Sequence, residues 1–202
     1  MKSPGKLIVF EGPDGVGKST LVEFSLGFFK DRDLPFLALS FPGKDAGTLG
    51  WLVDQIHHGQ RGQDIFGLSE LSLQALHIAA HLDHIEKRIH PALRKGTHVL
   101  LDRFWWSTWV YGRAANVQTE VLDQFIDAEK TAWVPTQPAQ VILVNRTTPF
   151  RADHNHERHE RLSALYAELA GREQDLYRVT TISNDSVEGS LQLLREKLDG
   201  LL

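Results

Sequence analysis

The nine residues GPDGVGKST, at positions 12–20, constrain this chain more than any other stretch. They match the pattern G-x-x-x-x-G-K-[ST] at Gly12, Gly17, Lys18 and Ser19. The apolar run KLIVF precedes the motif at 6–10, and an amphipathic segment follows it at 18–30. This context predicts a phosphate-binding P-loop between a buried strand and a helix, because a glycine turn that only joined the two would leave the lysine unexplained.

The P-loop predicts a nucleoside triphosphate site. Its backbone N–H groups and the helix N-terminus are expected to face phosphate oxygens. Lys18 is expected to reach the β- and γ-phosphates, and the Ser19 hydroxyl is placed to bind Mg²⁺, so the predicted cofactors are ATP and Mg²⁺. The predicted nucleotide-binding residues are Gly12, Asp14, Gly15, Val16, Gly17, Lys18, Ser19 and Thr20.

Composition and charge exclude several other classes of protein. The 202 residues, 42% apolar and 24% charged, predict a single folded domain over 1–202. A net charge of -4 argues against general binding to a nucleic-acid polymer. The chain has no cysteine, so any metal must be held by oxygen or imidazole. The apolar run at 7–10 is too short for a signal segment or a membrane span, which makes a cytoplasmic protein the expectation.

Short β-rich runs alternate with longer helical segments along the chain. Buried strands are predicted at 6–10, 35–41, 98–102, 140–144 and 177–182. Helices are predicted at 18–30, 47–58, 70–94, 118–130, 157–170 and 187–199. This alternation predicts an α/β, three-layer P-loop NTPase fold, in which a five-stranded parallel sheet carries helices on both faces and a short lid.

Three histidines follow one another at helical spacing in the predicted helix at 70–94. His77, His81 and His84 each stand one residue before a member of the apolar stripe, so they flank the core side of the helix. They can form a base-reading face, a solvated face or part of a metal site. The metal reading is the weakest, because no H-E-x-x-H pattern or placed carboxylate accompanies them.

The third strand ends in Asp102, followed by Arg103. A carboxylate at this end of a strand can hold Mg²⁺ or its water, and the arginine can clamp a phosphate. The fourth strand continues as NRTTP, which lacks the aspartate of the guanine-reading N-K-x-D motif, so a GTPase is disfavoured.

Four stretches resemble the thymidylate kinases, a family of nucleoside monophosphate kinases. FEGPDGVGKST at 10–20 resembles F-E-G-x-D-G-x-G-K-[ST]-T, and SFPG at 40–43 is similar to that family's phosphate-binding turn. Residues 90–112 resemble P-A-L-x-x-G-x-x-V-x-x-D-R-[YH]-x-x-S-x-x-A-Y-Q without a gap, and 160–170 resemble the helix after the lid. The resemblance is weakest between 145 and 158.

The resemblance implies roles for residues around the acceptor. Asp14 would accept a hydrogen bond from the sugar 3'-hydroxyl, and Tyr111 would occupy the space of a 2'-hydroxyl. Arg103 and Lys44 would hold the acceptor phosphate, although a lysine cannot give the two-donor clamp of the family's usual arginine. Phe41 and Ser107 complete the implied substrate set, with Ser107 matching the family's serine beside the base, and Asp102 would serve Mg²⁺.

The implied base site departs from the family at three positions. His77 falls where the family has the phenylalanine that stacks on thymine, and His81 falls where it has the arginine that hydrogen-bonds the base. Gly112 replaces a glutamine. Trp105, Trp106 and Trp109 crowd the same region, where core packing or a dimer interface is a commoner use than reshaping the base pocket.

The family's catalytic arginine is expected in a lid at about 145–160, since Pro13 and Val16 fill the variable positions of the P-loop. Arg151, Arg158 and Arg161 are the candidates, and Arg151 and Arg158 are predicted to be catalytic along with Lys18, Asp102 and Arg103. The loop SNDSVEG at 183–189 falls where the family holds adenine, but its Ser183, Asn184 and Asp185 can equally cap a helix.

The favoured hypothesis is an ATP-dependent deoxynucleoside monophosphate kinase, with dTMP as the default acceptor and a different or modified base as an open possibility. The alternatives are a deoxynucleoside kinase and a nucleotide-binding regulator with little turnover. The expected partners are small nucleotides, without a nucleic-acid polymer or membrane. The resemblance also implies a homodimer.

Overall fold

The computed structural model describes residues 3–57, 67–148 and 156–202. Five strands form one parallel sheet in the order β2-β3-β1-β4-β5. They are β1 Leu7–Glu11, β2 Phe36–Ser40, β3 His98–Asp102, β4 Gln140–Asn145 and β5 Val179–Ser183. All five predicted strands are confirmed, with bounds that differ by at most two residues.

Helices connect the strands. They are α1 Lys18–Lys30, α2 Leu49–His57, α3 Glu70–His84, α4 His90–Arg94, α5 Trp105–Ala114, α6 Thr119–Trp133, α7 His156–Glu173 and α8 Val187–Asp199. Each predicted helical segment contains a helix, but α5 was not predicted. Among the described residues, no helix combines the length and apolar character needed to span a bilayer.

Apolar clusters cover the two faces of the sheet. On one face, Ile8, Phe10 and Ile142 pack beneath α1 and α8. On the other face, Leu7, Val9 and their neighbours in β3 and β4 pack beneath α3 to α7, together with Trp105, Trp106 and Trp109. The three tryptophans are at most 1% exposed, so they belong to this chain's own core. The helices on both faces confirm the predicted three-layer α/β fold.

The prediction that every strand is buried was wrong for β2 and β5. No residue of β2 is fully buried: two of its five residues are exposed and three are half-buried. In β5 only Ile182 is buried, while Thr181 and Ser183 are exposed. The sheet order explains the difference, because β1, β3 and β4 are paired on both sides while β2 and β5 are edges. The central position of β1 places the P-loop in the middle of the sheet's carboxyl edge.

The predicted helix at 70–94 is interrupted. A π-helical turn, Ile85–Ile89, separates α3 from α4, so the backbone does not keep one helical phase over the whole segment. Ile78, Ile85, Ile89 and Leu93 are buried as the apolar stripe predicts, while Leu82 is only half-buried. His81 and His84 are buried as well, at 2% exposure each.

Candidate nucleotide site

The P-loop joins β1 to α1 through backbone conformations that favour glycine. Gly17, the N-cap of α1, has φ 90°, and Gly12 has φ 138°. A Cβ on Gly12 would lie 2.0 Å from the carbonyl oxygen of Val144, so no larger residue fits there. Lys18 is buried, and its Nζ donates to the carbonyl oxygens of Gly12 at 2.8 Å and Pro13 at 2.6 Å. The lysine is thus held directly over the loop that it is predicted to serve.

The charge on Lys18 depends on pH within a measurable range. Burial, with the nearby charge of Arg103, lowers the pKa of Lys18 to about 8, although Asp102 and other carboxylates oppose the shift. Because only the protonated amine attracts phosphate, we expect the dissociation constant for ATP to rise about tenfold per pH unit above pH 8. Calorimetric titration from pH 6.5 to 9.5 measures this, with thermal unfolding as the control for an intact fold. A constant affinity to pH 9.5 would contradict the expectation.

Arg103, Asp14 and Tyr111 form a cluster beside the P-loop. The Arg103 guanidinium pairs with Asp14 Oδ1, and the Tyr111 hydroxyl donates to Asp14 Oδ2 at 2.7 Å. Arg103 itself has φ 74°, in the left-handed region, where the chain turns from β3 into α5. The structure therefore brings together three of the predicted substrate-binding residues.

Ser107 lies next to this cluster, in the first turn of α5. Its hydroxyl accepts from Arg103 Nη1 at 2.9 Å and donates to Glu11 Oε2 at 2.7 Å. Glu11 is fully buried, and burial raises its pKa, opposed by the charge of Arg103 and by the hydrogen bond from Ser107. The Ser107 hydroxyl is therefore hydrogen-bonded to Arg103, the predicted phosphate-binding arginine, and the implied place of Ser107 beside the base stays a prediction.

Asp102 and Ser19 are the predicted magnesium ligands. Asp102 Oδ1 is buried and has no hydrogen-bond partner among the described residues. Ser19 is exposed at the start of α1. A carboxylate oxygen without a protein donor, at the same edge as the phosphate loop, fits a site in which Mg²⁺ takes few protein ligands and keeps phosphate and water oxygens. The residues 3–57, 67–148 and 156–202 contain no group of three or more His, Cys, Asp or Glu side chains that could hold a metal.

His81 is enclosed rather than solvated. Its Nδ1 lies 2.9 Å from Glu129 Oε2, and its ring stacks on Phe41 with centroids 4.0 Å apart. The other carboxylate oxygen of Glu129 accepts from Trp133 Nε1 at 3.1 Å, and Glu129 is fully buried. His77 is half-buried, with its ring centroid 6.1 Å from that of His81. The solvated-face reading is therefore wrong for His81, while His77, His81 and Phe41 do lie together.

His84 supports the turn that carries Lys44. Its Nδ1 donates to the carbonyl oxygen of Ala80 at 3.1 Å, and its ring lies against Gly43, where an added Cβ would be 2.7 Å from Cε1. Lys44 is exposed and lines a cavity of about 210 Å³ with His84 and Arg88. The solvated reading is also wrong for His84, which packs behind the predicted phosphate-binding turn.

The predicted lid falls partly outside the described residues, and Arg151 lies there. Arg158 is exposed in the first turn of α7. Arg161, one turn further, donates to Asn116 Oδ1 at 2.8 Å and to the carbonyl oxygen of Arg113 at 3.3 Å. In this structure Arg161 therefore contacts the end of α5 and the turn that follows it.

Ser183, Asn184 and Asp185, at the end of β5 and in the loop after it, are not the N-cap of the helix that follows. Ser186 is the N-cap of α8, and its hydroxyl accepts from the backbone of Gly189. Asn184 instead donates from Nδ2 to the P-loop carbonyl of Val16 at 2.8 Å, and Asp185 accepts from the backbone of Thr147 at 3.0 Å. The predicted adenine-side loop is thus tied to the phosphate loop.

The fold and site define a P-loop nucleoside monophosphate kinase. A P-loop at the head of the central strand faces a cluster of arginine, aspartate and tyrosine at the end of the neighbouring strand. One part of this edge suits a triphosphate donor, and the other supplies positive charge and hydrogen bonds for a phosphorylated acceptor.

Comparisons with known proteins agree. A sequence profile described as thymidylate kinase matches residues 10–193. The thymidylate kinase of Marinomonas sp. (strain MWYL1) is 31% identical, covering 96% of this chain and 94% of that protein. That of Symbiobacterium thermophilum is 30% identical, with coverage of 96% and 93%. The crystal structure of thymidylate kinase from Ehrlichia chaffeensis, 22% identical, has a TM-score of 0.76 and covers 97% of this chain and 99% of its own. The chain belongs to the thymidylate kinase family.

Two buried carboxylates of the site were missed by sequence reasoning. Glu11 stands inside the F-E-G motif, but apart from a contact with the backbone N–H of Gly12 at 3.3 Å its hydrogen bonds go to Phe104, Ser107 and Tyr166, which are distant in the chain. Glu129 is one of many acidic residues of the amphipathic α6. Its place on the buried side of that helix, with Leu122 and Ile126 also buried, was the available signal.

Proposed function

We propose that the protein transfers the γ-phosphoryl group of ATP to dTMP, giving dTDP and ADP. The observation that supports this most directly is the meeting of the P-loop lysine and the Arg103, Asp14 and Tyr111 cluster at one edge of the sheet. Membership of the thymidylate kinase family over residues 10–193 supports the same reaction. It disfavours both the deoxynucleoside kinase and the weakly active regulator.

In the proposed reaction, an oxygen of the dTMP phosphate attacks the γ-phosphorus in line. The bond from that phosphorus to the β,γ-bridging oxygen breaks as the new bond forms, so no covalent enzyme intermediate is needed. Lys18 leaves its two loop carbonyls to stabilise charge on the β- and γ-phosphates. Arg103 holds the acceptor phosphate, and a lid arginine, Arg151 or Arg158, adds positive charge to the transferred group.

The proposed magnesium ligands are Ser19 and Asp102. The bound ion would neutralise phosphate charge, with Asp102 acting directly or through water. Asp102 Oδ1 supports the proposal because it is buried and has no hydrogen-bond partner in the described part of the chain. ATP and Mg²⁺ are thus the proposed donor and ion.

The proposed sugar and base contacts use residues on α3, α5 and the turn after β2. Asp14 and Tyr111 are placed to favour a deoxyribose with a free 3'-hydroxyl. Phe41, His77 and His81 form the proposed base side, in which His77 stands in place of the family's phenylalanine and His81 in place of its arginine. Lys44 supplies a point charge for the acceptor phosphate, and the engagement of Ser107 by Arg103 makes it a support for that same site.

A product assay tests the proposal. Purified protein with ATP and Mg²⁺ is incubated separately with dTMP, dUMP, 5-substituted deoxyuridylates and the unphosphorylated nucleosides, and products are identified by mass spectrometry. We expect dTDP and ADP in equal amounts, with no product from nucleosides. Diphosphate from another monophosphate alone would replace dTMP as the acceptor, and ATP binding without product would support the regulator.

The same assay tests the base side. His77→Phe and His81→Arg, singly and together, are expected to raise kcat/KM for dTMP relative to dUMP, because they restore the residue types of the family's base site. We expect the ratio of kcat/KM for dTMP to that for dUMP to change about tenfold, since one pocket contact contributes about 1–3 kcal/mol of discrimination. Thermal unfolding checks that each variant folds. An unchanged ratio in a folded double variant would give the histidines a packing role only.

A homodimer and a cytoplasmic location are also proposed, on the resemblance to other members of the family. Light scattering after gel filtration measures the first, and a mass of twice 22.8 kDa is expected. A monomeric mass at micromolar concentration would contradict it.

A further inference from the structure

We propose that Glu11 is a positioning residue for the acceptor phosphate, which it reaches through Ser107 and Arg103. The inference rests on the proposed function, because it assigns a role within the acceptor side of that site. Glu11 is the last residue of β1 and lies directly before the P-loop. Its side chain is fully buried and points to α5, the helix that follows Arg103.

Glu11 caps α5 from another strand. Its Oε1 accepts the backbone N–H of Phe104 at 2.7 Å and of Ser107 at 3.0 Å. Phe104 is the N-cap of α5 and provides no side-chain cap of its own. The carboxylate therefore accepts hydrogen bonds from N–H groups at the start of α5, and its negative charge interacts favourably with the positive end of that helix's dipole.

This cap fixes the turn in which Arg103 stands. Arg103 has φ 74°, which a residue with a Cβ rarely adopts, and its own N–H donates to the Phe10 carbonyl at 2.9 Å. The hydrogen bond from Phe104 to Glu11 holds the next peptide. Residues 10 and 11 of β1 thus hold both sides of the strained residue.

The second oxygen of Glu11 is linked to the Arg103 guanidinium through the Ser107 hydroxyl. Ser107 donates its hydroxyl proton to Glu11 Oε2 at 2.7 Å, which leaves the Ser107 oxygen free to accept from Arg103 Nη1 at 2.9 Å. The other terminal nitrogen of Arg103 pairs with Asp14. Glu11 therefore sets the proton direction of Ser107, and Ser107 and Asp14 together orient the guanidinium fork.

Tyr166 adds a contact from α7. Its hydroxyl donates to Glu11 Oε2 at 3.1 Å and lies 2.8 Å from the Ser107 oxygen. Within the described residues Tyr166 forms no hydrogen bond with Arg103, so removing its hydroxyl removes a buried contact of Glu11 and Ser107 but keeps the link from Glu11 through Ser107 to Arg103. This makes Tyr166→Phe a matched control.

A double-mutant cycle tests the proposal. Glu11→Gln, Arg103→Ala and the double variant are compared with wild type for kcat, for KM of dTMP and ATP, and for dTMP affinity by calorimetry. Glu11→Gln is expected to weaken dTMP about tenfold, with KM for ATP within about twofold of wild type, and to have no further effect when Arg103 is absent. Tyr166→Phe is expected to lower the unfolding temperature while KM for dTMP stays within about twofold.

Two outcomes would overturn the inference. One is a rise in KM for ATP as large as the rise for dTMP, which would mean that Glu11 acts on the P-loop. The other is a double variant whose loss of dTMP affinity equals the product of the losses in Glu11→Gln and Arg103→Ala, which would mean that the two residues act independently. If Glu11→Gln does not fold, Ser107→Ala, which keeps the backbone cap, enters the same cycle with the same expected pattern.

The binding arm separates this inference from the proposed function. If wild-type protein binds dTMP but makes no dTDP, the kinase proposal fails while the affinity cycle still decides the role of Glu11. If it binds no nucleoside monophosphate, both proposals fail.

Discussion

Replacement of Lys18 by alanine is expected to reduce kcat/KM for dTDP formation by at least about 100-fold, the scale of losing one preorganised charge or donor at a reacting centre. The amine is buried and held by the carbonyl oxygens of Gly12 and Pro13, so it is already placed at the phosphate loop. Steady-state turnover with ATP and dTMP, measured near pH 7 where Lys18 is protonated, provides the test.

The fold should survive this change. Burial disfavours the charged amine, which is why the pKa of Lys18 is lowered. Because the alanine variant no longer bears this desolvation cost, we expect its free energy of unfolding to be unchanged or raised. Lys30, an exposed lysine in the last turn of the same helix, is the matched control, and Lys30→Ala should keep wild-type turnover. Undiminished turnover in Lys18→Ala would contradict the P-loop assignment.

Replacement of Glu129 by alanine is expected to lower the free energy of unfolding by about 3–5 kcal/mol, the usual cost of removing one member of a buried pair. Glu129 is fully buried, and its two oxygens face His81 Nδ1 at 2.9 Å and Trp133 Nε1 at 3.1 Å. Without the carboxylate, both ring nitrogens would lie in the core without an acceptor and beside a new cavity.

Urea unfolding followed by tryptophan fluorescence measures the Glu129 effect. Asp127→Ala is the matched control, because Asp127 is an exposed carboxylate on the same helix and should change stability by less than about 0.5 kcal/mol. Glu129→Gln should cost less than Glu129→Ala, since it keeps an acceptor for one of the two rings. Equal stability of the Glu129 and Asp127 variants would show that the pair contributes little.

The failure to predict α5 has a physical cause. Helices are recognised in sequence by an apolar stripe beside a polar face, and the residues from Trp105 to Val110 are all buried. A helix that is buried on every side has no such contrast. Its start is set instead by Glu11, whose position 93 residues from Phe104 in the chain no local pattern can reveal.

The histidines show the same division. Helical spacing correctly placed His81 and His84 beside the core side of one helix, but it could not show whether that margin met solvent or protein. Glu129 on α6 and Gly43 after β2 decide this, because they supply a hydrogen-bond partner for one ring and a surface without a side chain for the other.

The sequence by itself determined the P-loop, the five strands and the ends of β1 and β3, because each depends on residues close together in the chain. Tertiary structure alone decided which strands became edges, that Trp105, Trp106 and Trp109 belong to the core, and that Glu11 and Glu129 are buried acceptors. The physical reason is that strand order and the partners of buried polar groups arise from contacts between residues far apart in the chain, while a P-loop or a strand is specified by its neighbours.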